Sequence, residues 1–272
     1  MKYYLLILFS IIAVADVSAQ KSSTQIYIIG NIHDSVPNYH PQILYEIIDQ
    51  IRPDIILHEV ESQGMKEYEA SSEDPKGNEI KASNLYLKVN PNTLRLPFDF
   101  EGRNSYRRDR GMVPTDNLTF RLIDSLYKAN ALTVEEATIY KTFNSTTDEL
   151  IRIASLSPEN FNNSRTDSIA QRRQNYQYKE MLKITDTRPE FAERFVVKPN
   201  MDSISFKDGF KLMSSFWDLR NQTMANNIYN IAQQHPGKKI VVLTGFLHRY
   251  YLIKELKKLN NGSFEIKEFY QK

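Results

Sequence analysis

The chain contains no cysteine. That absence excludes disulfides, thiolate metal ligands, a cysteine nucleophile and a lipid-modified amino-terminal cysteine, so the fold must rest on its core. Neither sign of charge is in excess: 35 Lys and Arg stand against 33 Asp and Glu, for a net +2. Bulk charge therefore predicts no nucleic-acid partner. No apolar run reaches the roughly 20 residues that a membrane span requires, and no span is expected in the mature chain. A serine-centred nucleophile elbow, a phosphate loop and a dinucleotide fingerprint are also missing, which argues against nucleotide-dependent chemistry.

The longest apolar stretch, Leu5 to Val14, lies between Lys2 and the small-residue pattern Val17-Ser18-Ala19. This is the composition of a secretory signal peptide over residues 1–19, and it predicts export to a periplasmic or extracellular space. Residues 20–272, about 250 in all, suit a single α/β domain.

Two copies of one pattern dominate what is present. IYIIGNIH at 26–33 and IVVLTGFLH at 240–248 each run from a β-branched apolar segment through a glycine to a histidine three residues later. The pairs are Gly30/His33 and Gly245/His248. Each reads as a buried strand that delivers a polar side chain off its carboxyl end, where parallel sheets open a ligand crevice. A third run, PDIILHEVES at 53–62, passes from Ile55–Leu57 directly into His58, Glu59 and Glu61. A period of two puts Glu59 and Glu61 on one side and His58 on the other. His58 thus reads as a satisfied sheet histidine. His33, His248 and Glu59 can gather at one sheet edge, as a first shell for a divalent cation or as a general base with its orienting partners.

Helical spacing of Ile43, Leu44, Ile47, Ile48 and Ile51 behind Pro41 predicts a helix over 41–52, and hence a βαβ unit across 25–60. A shorter helix is expected at 78–89, followed by a strand in LRLPFDF that ends in Asp99. From about 115 to 200 no apolar strand is evident, and charged-face helical periodicity predicts a helical insertion able to serve as a lid. A long helix over roughly 205–235 carries an apolar stripe that Arg220 and Asn221 interrupt. A buried guanidinium needs an anionic partner, either substrate or a structural carboxylate such as Asp99 or Glu59. A strand at 239–244, a helix at 247–258 and an edge strand at 263–269 complete the reading. The fold class is α/β: a mainly parallel central sheet flanked by helices, with the insertion. The Arg103, Arg107, Arg108 and Arg110 cluster reads as a solvated loop, or more sharply as a site for an anionic substrate group.

The ordered set IYIIGNIH, PDIILHEVE, WDLRNQTMANNI and IVVLTGFLH resembles the superfamily that contains TraB, GumN, the Tiki proteases, the erythromycin esterases and ChaN. The likeness covers the two ends of the chain. It implies that His33, Glu59, Arg220 and His248 are the functional set. Tiki-like members imply a metal-dependent peptidase, esterase-like members a metal-independent histidine base, and ChaN-like members haem or iron binding without turnover. The first motif reads GNIH, where TraB and GumN relatives commonly have GTxH.

The leading expectation is a secreted hydrolase of peptide or small-molecule substrates. In it His33, Glu59 and His248 hold manganese, cobalt or zinc. Glu61 acts as base, Arg220 and Asn221 stabilise the oxyanion or hold a substrate carboxylate, and Asp99 or Arg103 completes the substrate wall. The rivals are a non-catalytic haem- or metal-binding protein that uses the same histidines, a metal-independent esterase, and histidines of purely structural role.

Overall fold

The computed structural model describes residues 23–70 and 77–271, so the leader expected at 1–19 lies outside the described residues. The first elements are β1 (Thr24–Asn31), α1 (Pro41–Ile51), β2 (Ile55–His58), α2 (Ser62–Ala70), α3 (Asn78–Val89) and β3 (Leu94–Pro97). A helical stretch follows: α4 (Arg103–Asp109), α5 (Met112–Lys128), α6 (Val134–Ala154), α7 (Pro158–Phe161), α8 (Ser164–Asn175), a π-helical turn at Tyr176–Glu180, α9 (Leu182–Thr187) and α10 (Pro189–Ala192). The short pair β4 (Phe195–Val197) and β5 (Ser203–Ser205) leads into α11 (Phe206–Gln234), β6 (Lys239–Gly245), α12 (Phe246–Leu259) and β7 (Phe264–Lys267).

The central sheet is parallel throughout, in the order β3-β2-β6-β1-β7. The α/β class and the parallel sheet agree with the sequence reading. Ile26, Ile28, Val241 and Val242 are buried because helices cover both faces, which is why these strands are continuously apolar rather than alternating. On one face Ile29 and Val241 pack with Leu44 and Ile48 of α1 and Tyr86 of α3. On the other, Ile28 and Val242 pack with Met224 and Ile228 of α11 and Leu252 and Leu256 of α12. The chain therefore leaves β1 toward one face and β6 toward the other, and this divergence opens a crevice over the carboxyl ends of two adjacent strands.

Two contacts tie the helical stretch to the sheet. Asn162, buried after α7, accepts from Gly30 N at 2.6 Å and donates to Gly30 O at 3.0 Å. Arg249, 1% exposed, donates to Ile28 O at 3.0 Å and pairs with Asp167 of α8 and with Glu268 beyond β7. Gly30 permits the close approach of the two histidine motifs: a Cβ there would lie 2.8 Å from Phe246 Cα. Among the described residues no helix is long and apolar enough to cross a membrane. The β4–β5 hairpin, Phe195–Val197 against Ser203–Ser205, departs from the all-helical reading of 115–200. Its three-residue strands, with Phe195 and Val197 exposed, are too short to show a period.

Candidate active site

Glu59 follows β2 directly and reaches across the end of neighbouring β6. Its Oε2 accepts from Thr244 Oγ1 at 2.6 Å and from Gly245 N at 2.8 Å, and its Oε1 accepts from Arg220 Nη2 at 2.5 Å. Burial by itself would raise its pKa. His248, Arg220 and the two donors from β6 outweigh that and bring it down to about 2. Glu59 is thus a fixed negative charge at neutral pH.

Arg220 projects from the middle of α11 into that charge. Its Nε and Nη2 bind Asp99 in a fork, each at 2.8 Å, while Nη2 also serves Glu59. Nη1 donates to His248 Nε2 at 3.1 Å, and the second Nη1 proton has no partner among the described residues. Burial opposes the charge, but Glu59 and Asp99 raise the guanidinium's pKa above its ordinary value. Of the two partners left open by the sequence, the structure supplies the carboxylates, and it supplies both. Asp99 also binds Arg103 Nη1 at 2.7 Å.

His248 lies in the first turn of α12, stacked on Trp217 with ring centroids 4.4 Å apart. Nδ1 contacts Asn221 Oδ1 at 2.7 Å, and the same amide donates from Nδ2 to Trp217 O at 2.7 Å, which fixes its orientation. Nδ1 therefore carries the proton, and Nε2 accepts from Arg220. Burial, with help from Arg220, lowers the pKa of His248 to about 4, so the ring is neutral at neutral pH.

His33 is held differently. Its side chain is 68% exposed, and its Nδ1 contacts Glu79 Oε1 at 2.7 Å. That contact raises its pKa from the ordinary value. Nε2 faces inward: a Cβ on Gly245 would lie 3.5 Å from it, 3.7 Å from His248 Cδ2 and 3.8 Å from Glu59 Oε2. The turn at Gly245 is thus the point about which the two histidines and the glutamate converge. A cavity of about 290 Å³ opens here, lined by His33, Glu59, Glu79, His58 and Tyr68.

Glu61 and Asn221 occupy other places than their expected roles require. Both Glu61 oxygens accept from backbone, Gly102 N and Asn104 N at 3.1 Å each, at the start of α4. Asn221 spends its amide on His248 and Trp217. His58 is corrected: it is buried, but its Nε2 has no hydrogen-bond partner among the described residues. With burial as the main cause and Arg95 nearby, its pKa falls to about 3. Sequence reasoning missed Glu79, Thr244 and Trp217. Thr244 sits inside the second motif and could have been found there. Glu79 carries no local signal, because the fold brings it to His33 from the first turn of α3.

The divalent cation expected from the sequence would need His33, Glu59 and His248 as donors. The space among Glu59, Asp99 and His248 holds the Arg220 guanidinium, and Glu59 Oε2 is committed to β6. Among the described residues no three His, Cys, Asp or Glu side chains are grouped to hold a metal ion. As arranged, the donor set does not fit that shell.

No family model and no curated protein matches the chain. Among solved structures, the chain is similar to a mutant of the erythromycin esterase EreC in its open conformation, with a TM-score of 0.32 and 12% identity. The likeness covers 82% of this chain and 60% of that structure.

Proposed function

We propose that the protein is an exported, metal-independent hydrolase of carboxylic esters or amides in small molecules or peptides, and a divergent member of the superfamily its motifs resemble. The observation that carries this reading is the His33–Glu79 pair. A carboxylate holds Nδ1 at 2.7 Å and leaves Nε2 turned toward the Gly245 crevice. A histidine oriented in this way is a general base. Nε2 takes a proton from water, and the water oxygen bonds to the carbonyl carbon. In this reading the developing oxyanion is met by Arg220, whose Nη1 lies 3.1 Å from His248 Nε2. His33 then returns its proton to the leaving oxygen or nitrogen as the bond to carbon breaks. Glu59, Asp99, Asn221 and His248 act as positioning residues that hold the guanidinium.

The test is turnover of p-nitrophenyl esters and of peptide amides, with and without a chelator, beside His33→Gln and Glu79→Gln. The expected loss for His33→Gln is about 10²–10⁴-fold in kcat. Glu79→Gln should move the basic-form limb of the pH profile to lower pH, because the contact that raises the His33 pKa is gone. Activity abolished by chelation and restored by manganese, cobalt or zinc would overturn the metal-independent reading. Stoichiometric haem or metal in a chain without turnover would favour a binding protein.

A further inference from the structure

The cavity of about 290 Å³ that contains His33 has a wall of one charge. Asp34, Glu59 and Glu79 line it, and among the described residues no Lys or Arg does. Glu59 is committed to Arg220 and β6, but Glu79 meets His33 through Oε1, which leaves Oε2, and Asp34 is exposed in the loop after β1. In the neutral form that a base requires, His33 offsets none of this charge. Acidic residues alone define no ligand. His58 adds an independent mark: it borders the same cavity, is 2% exposed, and its Nε2 has no partner among the described residues. A buried polar atom without a partner costs free energy that a bound donor restores, and a neutral imidazole can accept from such a donor. The Tyr68 ring in the same wall attracts cations, and Val60 and Leu243 give it an apolar part.

A compact inorganic cation needs three such groups about one point, and among the described residues none are so grouped. An organic ammonium carries its charge on several N–H groups that reach separate acceptors. We propose, resting on the hydrolase reading above, that the cavity holds a protonated amine of the substrate close to the scissile carbonyl, so that the enzyme acts on aminoacyl esters or on peptides with a free amino terminus. The ammonium lies among Asp34, Glu79 and His58, the amino-acid side chain meets Val60 and Leu243, and the carbonyl faces His33 in the same wall. The volume, near the lower end of the range of about 300–1,000 Å³ for small-molecule sites, suits a single aminoacyl group.

The experiment uses the full chain at about pH 7, where an α-amine is protonated. The substrates are L-alanine methyl ester and N-acetyl-L-alanine methyl ester, each rate taken relative to that ester's own hydrolysis in buffer. The binding probe is L-leucinol, which has the amine but no carbonyl. The parent is expected to favour the free amine by about 10–100-fold in kcat/KM. Asp34→Lys reverses a charge at an exposed loop position where folding is not at risk. It should abolish that preference and weaken leucinol binding at least about tenfold. The ratio of the two esters is the reading, because general damage to the site lowers both alike. Equal rates for the two esters in the parent, a ratio that Asp34→Lys leaves intact, or leucinol that does not bind the parent overturns the proposal. Leucinol binding that Asp34→Lys weakens, in a chain that hydrolyses neither ester, keeps the cavity as an ammonium site and sinks the hydrolase reading instead. Manganese or zinc that displaces leucinol and itself supports turnover assigns the carboxylates to a metal and overturns the proposal.

Discussion

Arg220 and Asn221, consecutive in α11, hold the two nitrogens of a single imidazole, with Arg220 Nη1 3.1 Å from His248 Nε2 and Asn221 Oδ1 2.7 Å from Nδ1. The helix thereby sets both the tautomer and the orientation of a ring that belongs to another element. On nitrogen NMR, His248 should appear as the Nδ1-protonated neutral form at pH 7 and remain so down to about pH 4. In Asn221→Asp a carboxylate faces Nδ1, and the titration should move upward. An unchanged titration in that variant would show that Asn221 does not orient the ring.

Arg220→Met should destabilise the fold by about 3–5 kcal/mol, because it leaves Glu59 as a buried charge without its cation and Asp99 with Arg103 alone. Urea unfolding measures the loss. A cost under about 1 kcal/mol would mean that the network is solvated.

Acid should unfold the protein early. His248 and His58 have native pKa values of about 4 and about 3, against 6.5 when unfolded, so as pH falls below 6.5 the unfolded chain binds two protons that the native chain refuses. Stability is therefore full above pH 6.5 and declines toward pH 4. Glu59, at about 2 against 4.5, extends the decline below pH 4.5. His33, whose pKa is raised, acts in the opposite direction and stabilises below 6.5. His58→Phe should make the decline shallower, since one of the two protons is removed and the ring replaces a nitrogen that has no partner. Unfolding free energies that are flat between pH 7 and 5 would contradict this assignment.

Gly30→Ala should cost about 1–3 kcal/mol, since the new methyl meets Phe246 backbone rather than a flexible side chain. A crystal or NMR structure of the variant should show the start of α12 displaced. A variant as stable as the parent would show that the two motifs do not touch.

The strands that carry the site were legible because a doubly covered parallel strand is apolar at every position, as in IYIIG and IVVLTG, and the turn glycines mark where each one ends. The helices α1, α3, α11 and α12 lie within a residue or so of their expected bounds, since each buries one stripe and ends at a proline, a turn or a polar run. LRLPFDF is shorter as a strand than expected, because pairing with β2 stops at Pro97, opposite His58. Arg220 was legible as a cation in an apolar stripe, and Asp99 and Glu59 were foreseen as its partners. Glu79 was not legible, because no spacing relates it to His33. The placement of Glu61 was equally hidden, since a strand period says which side a carboxylate takes but not that a later loop will supply backbone donors to it.

Asn162 hydrogen-bonds both backbone groups of Gly30, and Asp167 neutralises Arg249 beneath β1. Both residues come from the helical stretch, so excising that stretch would leave an amide, a carbonyl and a guanidinium short of partners inside the remaining body. A minimal version of this fold, trimmed to the sheet and its flanking helices, is therefore not obtainable by deletion. The helices of the middle are structural members of the sheet they brace, and the two ends of the chain could not have kept their present arrangement without them.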